Sequence, residues 1–230
     1  MKTIGLLGGM SWESTQLYYQ LINREVQRRK GGVHSARCIV YSVDFAEIEA
    51  LQAADDWVTS GRLLGEAAAK LRDAGAEILV LCTNTMHLVA DEIERLSGMK
   101  LLDIFDITAE AVKREGIDTV GLLGTGYTMS KPFFRERFER HGLRVVVPNE
   151  PDRRRVHEII YDELVRGVVR DDSRAEFLDI IETLRAEGAG GVILGCTEIG
   201  MLVRDGDASI PCFDTTELHA TASVEKACAT

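Results

Sequence analysis

Several familiar signals are missing from this 230-residue chain, and each absence narrows what it can be. No apolar run approaches the ~18 residues of a membrane span, so none is expected. The five cysteines, at 38, 82, 196, 212 and 228, form no CxxC and no metal-ligand spacing. An odd, scattered set fits reduced thiols in a cytoplasmic protein. The five histidines form no HExxH or HxxxH, so no metal is expected either. Cations are outnumbered, 27 against 37 acidic residues, and the net charge of −10 argues against nucleic acid or an anionic membrane as partner. A small acidic substrate is still allowed, because a closed site is governed by its local donors. The opening MKTIGLLGGM is too short in its apolar part for a signal-peptide core and reads as a strand and turn.

Nucleotide fingerprints are absent as well. GLLGGM at 5–10 and GLLGTG at 121–126 each follow an apolar run and precede a helical pattern. Neither completes GxGxxG, since with Gly124 and Gly126 as the first two glycines the third position is Met129. No Lys-Ser/Thr follows either turn, so neither is a P-loop. A turn that lets backbone amides approach a small carboxylate fits both better, because exposed N–H groups at helix starts favour anions.

What is present is one sentence written twice. LRDAGAEILVLCTNT at 71–85 aligns without a gap with LRAEGAGGVILGCTE at 184–198. Each copy predicts a helix, a glycine turn, a buried strand and a polar or thiol residue at the strand's carboxyl end, where open α/β sheets bind ligands. In this register Thr83 stands opposite Cys196. IGLLGGM echoes VGLLGTG, and Phe105-Asp106-Ile107-Thr108 echoes Phe213-Asp214-Thr215-Thr216, the first placed at the end of a strand over 101–105. Strands and helices alternate throughout without a linker or low-complexity tract. The expected fold is therefore α/β: two pseudo-symmetric Rossmann-like domains with mostly parallel sheets and an interdomain active-site cleft.

Among single residues, Cys196 is the leading reactive group. It lies between Gly195 and Thr197-Glu198 at a strand-to-helix junction, where a helix start would favour the thiolate. Cys82 precedes Thr83, and strand neighbours point to opposite faces, so Cys82 is expected in the core unless a bulge reverses it. His87 is either a satisfied histidine at a helix start or a polarising group beneath the site. Arg153-Arg154-Arg155 reads as a solvated helix face. Arg166 could instead reach a cleft and hold a carboxylate bidentately.

Together these motifs resemble the aspartate/glutamate racemase family, the cofactor-independent amino-acid racemases. GLLGGM with Trp12-Glu13-Ser14-Thr15 is similar to the family's opening loop, CTNTMH at 82–87 to its first catalytic loop, and GCTEIG at 195–200 to its second. GCTE rather than GCTH leans toward the aspartate branch. The resemblance implies one domain over 1–104 plus 212–230 and a second over 105–211. It implies an isomerase without cofactor or metal, a small amino-acid substrate, a homodimer and a cytoplasmic location. The family pattern has two cysteines, but the first position here is Thr83, so the chain resembles an atypical Thr/Cys subgroup with Thr83 and Cys196 as the catalytic pair. The substrate contacts implied are the backbone at Gly9 and Met10, Gln52 in the loop after the second strand, Asn84, Thr85, Thr125, Thr128, Arg166 and Thr197. Open alternatives are a racemase of neutral amino acids, a single-cysteine decarboxylase or isomerase of the same superfamily, and a non-catalytic carboxylate binder.

Overall fold

The computed structural model describes residues 1–229 and divides them into two compact units, 1–103 with 219–229 and 104–218. The first unit runs β1 (Ile4–Gly8), α1 (Trp12–Lys30), β2 (Cys38–Ser42), α2 (Phe45–Ala53), α3 (Trp57–Asp73), β3 (Ile78–Leu81), a 3-10 turn over Thr85–Val89 and α4 (Ala90–Ser97). Its parallel sheet has the order β2-β1-β3, and β1 and β3 are buried along their whole length. Full burial on both faces is why these strands read as unbroken apolar runs rather than alternating ones. Alternation reappears in what each side chain meets. Ile4, Leu6, Ile78, Val80 and Cys82 pack with Tyr18, Ile22 and Val26 of α1, whereas Leu7, Leu79 and Leu81 pack with Leu64, Ala68 and Leu71 of α3.

The second unit runs α5 (Ile104–Arg114), β4 (Thr119–Leu123), α6 (Gly126–Ser130), α7 (Pro132–Glu139), β5 (Arg144–Val146), α8 (Glu150–Asp162), a 3-10 turn over Leu164–Arg166 and α9 (Asp171–Ala186). It continues with β6 (Gly191–Leu194), α10 (Ile199–Leu202) and β7 (Cys212–Asp214); α11 (Thr215–Cys228) starts in this unit and passes into the first at His219. The sheet order is β5-β4-β6-β7, all parallel. This repeats the first unit's order with one strand added. Leu123, Val192 and Leu194 pack with α8 and α9, while Val120, Leu122 and Ile193 pack with α5 and α7.

Three expectations need correction. Residues 101–105 do not form a strand: Leu101 makes an isolated bridge to Leu79, and α5 has begun by Ile104. The structural counterpart of Phe213-Asp214-Thr215 is consequently Leu102-Asp103-Ile104, and Phe105 sits on a helix, edge-on to Phe138. The return to the first unit falls at His219 rather than at 212, because β7 hydrogen-bonds to β6. Gln52 lies on α2, not in a loop; Asp44 caps that helix by accepting from the Ala46 N–H.

Among the described residues no helix is long and apolar enough to cross a membrane.

Candidate active site

The polar residues singled out in the first unit gather at the carboxyl ends of β1 and β3. Beyond β3, the Cys82 N–H still bonds to Leu7 O, extending the ladder by one residue. Cys82 is 0% exposed and its thiol lies in the apolar cluster under α1, so burial pushes its pKa far up. Its carbonyl accepts from Ser14 Oγ at 3.1 Å, which pins the strand end to the start of α1. Thr83 follows in the alternation of Leu79 and Leu81 and is nearly buried. The 3-10 turn that comes next folds His87 back, and its Nδ1 meets Thr83 O at 2.8 Å. That acceptor is a carbonyl, so Nδ1 carries the proton. His87 is therefore satisfied beneath the loop and fixes the Thr83 backbone.

Beside His87 lies a second buried histidine that sequence reading left unassigned. His219 Nε2 donates to Leu102 O at 2.8 Å, and Nδ1 accepts from Tyr18 Oη at 2.8 Å. Its ring lies 6.1 Å from that of His87. Burial, and next the His87 charge, hold His219 neutral with a pKa lowered to about 3.

The opening glycines serve close approach. A Cβ on Gly8 would collide with Thr15, whose Oγ1 accepts from Gly9 N–H at 2.8 Å and donates to Ser11 O at 2.8 Å. Gly9 has φ +93°, a conformation that L side chains resist. Met10 and Asn84 are buried, Thr85 is half-buried, and Gln52 directs its Nε2 at Met86 Sδ, 2.9 Å away.

The second unit repeats the arrangement around its own glycines. Thr125 caps α6, accepting from the Thr128 N–H at 3.3 Å, and the two hydroxyls lie 3.2 Å apart. A Cβ on Gly124 would come within 2.9 Å of Thr128 Cγ2, and one on Gly195 within 3.3 Å of the same methyl. Thr128 thus closes under the loop that carries Cys196. Gly126 N–H donates to His157 Nδ1 at 3.2 Å, which brings a further residue of α8 to this turn. Arg166 is exposed, at the end of the 3-10 turn after α8.

Cys196 stands where Thr83 stands in the first unit, next in the alternation after Val192 and Leu194. It is half-buried and packs against the cluster those residues build. Its Sγ donates to Glu198 Oε2 at 3.0 Å, and Thr197 Oγ1 donates to the same oxygen at 2.7 Å. The thiol is pushed well above its usual range, first by burial and then by the charges of Glu198 and Asp214. This reverses the helix-start expectation. The helix α10 is one turn long and begins three residues later, while a carboxylate sits against the sulfur. Asp214, at the end of β7, accepts from the Thr216 and Glu217 N–H groups; burial raises its pKa to about 6. Glu198 is the buried carboxylate closest to the thiol, and a carboxylate two residues after a cysteine in a loop is the only trace of it in GCTE. Among the described residues no group of His, Cys, Asp and Glu could hold a metal ion.

Both units therefore share an arrangement: a strand, β1 or β4, that runs into a glycine at its carboxyl end, and a threonine closing on that glycine. A model of the Asp/Glu/hydantoin racemase family matches residues 7–223. A candidate Asp/Glu racemase from Yersinia pestis is 53% identical, with a TM-score of 0.93 over 100% of both chains. An aspartate racemase homologue from Pyrococcus horikoshii OT3 is 37% identical, with a TM-score of 0.88 over 100% of both chains. An aspartate racemase from Picrophilus torridus shares the fold at 19% identity, with a TM-score of 0.78 over 99% of this chain and 94% of its own.

Proposed function

Since the chain belongs to the Asp/Glu/hydantoin racemase family, we propose that it is a PLP-independent racemase that interconverts L- and D-aspartate or glutamate by moving the α-proton between Cys196 and Thr83. The observation that carries this reading is the equivalence of those two residues. Each lies two residues beyond the end of the corresponding strand, β3 or β6, in two units whose sheets share one strand order, while Cys82 is turned into the core. Cys196 is the base. A threonine hydroxyl is far too weak an acid to supply an alkoxide at neutral pH, so Thr83 acts as donor to the carbanion or relays a proton to it. The charge that develops on the α-carboxylate is met by oriented donors: the turn amide at Met10, Asn84, Thr85, Thr125, Thr128 and the backbone N–H of Thr197. Gln52 adds a contact, and Arg166 pairs with the side-chain carboxylate. Resemblance alone supports a cytoplasmic homodimer as the working form.

The test is NMR of L-aspartate, L-glutamate and several neutral L-amino acids in D2O with the protein and no added PLP. Loss of the α-proton signal together with appearance of the D enantiomer of the acidic substrates is expected. Exchange confined to neutral amino acids would move the specificity away from acidic side chains. The single thiol favours a second reading, a single-cysteine decarboxylase or isomerase; absence of exchange with every amino acid would turn the assignment to that reading or to a non-catalytic carboxylate binder.

A further inference from the structure

The contact between Cys196 and Glu198 has chemical content beyond a satisfied thiol. Glu198 is 6% exposed, and one of its oxygens receives both the Cys196 S–H and the Thr197 O–H. A thiol held above its normal range is a poor base until its proton has somewhere to go. Release to solvent would add a further negative charge beside Glu198 and Asp214, in a place where burial already disfavours charge. Transfer to Glu198 leaves the number of charges unchanged.

We propose that Glu198 is the internal proton acceptor of Cys196. In the step, the Cys196 S–H bond breaks, an O–H bond forms on Glu198 Oε2, and the electron pair stays on sulfur as the thiolate. No co-reactant is consumed and the pair keeps one proton and one negative charge throughout. The other titratable group facing the thiol is Asp214 of β7, whose Oδ1 is engaged by two backbone N–H groups and which acts on Cys196 through its charge. The purpose of the pair rests on the racemase reading, since the thiolate is what would remove the α-proton. Glu198 acts through Cys196 and is a positioning and proton-accepting residue.

The experiment is the pH dependence of iodoacetamide alkylation at Cys196, followed by mass spectrometry of the peptide that contains it, in the full chain and in Glu198→Gln. Gln keeps the shape and an acceptor oxygen but cannot take the proton. The unaltered pair should give two steps with a pH-independent stretch between them, because thiolate and carboxylic acid form there without net proton release. Glu198→Gln should give a single step, displaced at least about one pH unit below the upper step of the pair, since a neighbouring negative charge has gone. Superimposable profiles overturn the proposal. Should Glu198→Gln fail to fold, Thr197→Val serves. Losing the Thr197 bond makes the carboxylate more basic, so alkylation on the flat stretch should rise several-fold, and an unchanged rate there overturns the proposal equally.

In the exchange assay, Glu198→Gln should lose roughly 10²-fold in kcat/KM near neutrality and recover it with rising pH. Glu198→Asp should restore part of the flat profile. Alkylation needs no turnover, so it separates the two readings. A displaced profile in a chain that exchanges no α-proton leaves the pair standing and removes the racemase. Normal exchange with superimposable alkylation profiles does the reverse.

Discussion

Two adjacent residues, Cys82 and Thr83, show how much chemistry one position of strand register decides. Strand alternation sends the Cys82 thiol into the cluster under α1, while Thr83 is in phase with Leu79 and Leu81 of the cluster on the other side of the sheet. Replacing Thr83 by Cys should therefore retain or raise racemisation, because a thiol is a far stronger acid and a usable base; complete inactivity of Thr83→Cys would separate this position from the proton transfer. Cys196→Ala should lower α-proton exchange by ~10²–10⁴-fold with binding of the substrate kept, as removal of a general base does. Titration calorimetry with L-aspartate checks the second half, and near-normal exchange in that variant would exclude Cys196 as the base. The correspondence of the two positions is legible in the sequence because the two copies align without a gap. The sequence hid Glu198, whose part depends on a side chain folding back across one intervening residue. It also hid the state of the thiol, because helix-start reasoning cannot see a buried carboxylate 3.0 Å from the sulfur.

Among the elements, strands β1, β3, β4 and β6 and the long helices α1, α3 and α9 are readable from apolar runs and glycine stops. The short helices α2, α6 and α10 are not, because four to nine residues fixed by their surroundings carry little periodicity of their own. The repeat Phe-Asp at 105–106 misled for a similar reason: LDIFDI offers two Asp registers, and the sheet uses Asp103, with the bridge at Leu101 setting the frame. The glycine turns are where element geometry and activity meet. A Cβ at Gly124 would stand 2.9 Å from Thr128 Cγ2 and 3.2 Å from Gly195 O, one residue from Cys196. Gly124→Ala should cost about 1–3 kcal/mol of stability through overpacking. It should also lower kcat/KM by displacing the Gly195-Cys196 loop. Thr128→Ser removes the opposing methyl but keeps the Cβ at 3.0 Å, so the double variant should recover part of the stability lost by Gly124→Ala. Additive losses in urea unfolding would show that the collision with Thr128 is not the cause.

At the scale of the whole chain, one buried group in each unit, His219 in the first and Asp214 in the second, carries a proton linkage of opposite sign. His219 belongs to the first unit and is held neutral, with a pKa lowered from 6.5 to about 3. The unfolded chain therefore binds a proton there that the native unit refuses. Its contribution is complete above pH 6.5 and is lost as pH falls toward 3, by up to about 1.4 kcal/mol per pH unit. Glu25, held at about 2 first by its bond to Arg28, adds the same sign of loss below pH 4.5. Asp214 belongs to the second unit, with a pKa raised from 3.8 to about 6. There the native unit binds the proton more readily, so stability is gained as pH falls from about 6 toward 4. The chain's two tryptophans, Trp12 and Trp57, both lie in the first unit, and Trp57 packs into its core. Tryptophan fluorescence therefore reports that unit, while far-ultraviolet circular dichroism reports both. On acidification from pH 7 to 4.5 the urea midpoint seen by fluorescence should move down relative to that seen by dichroism. His219→Gln can keep the bonds to Leu102 and Tyr18 without titrating, and should abolish most of that shift. A shift of full size in His219→Gln would assign the acid sensitivity of the first unit to some other group, and midpoints that stay together at every pH would show that the opposing linkages are not felt separately.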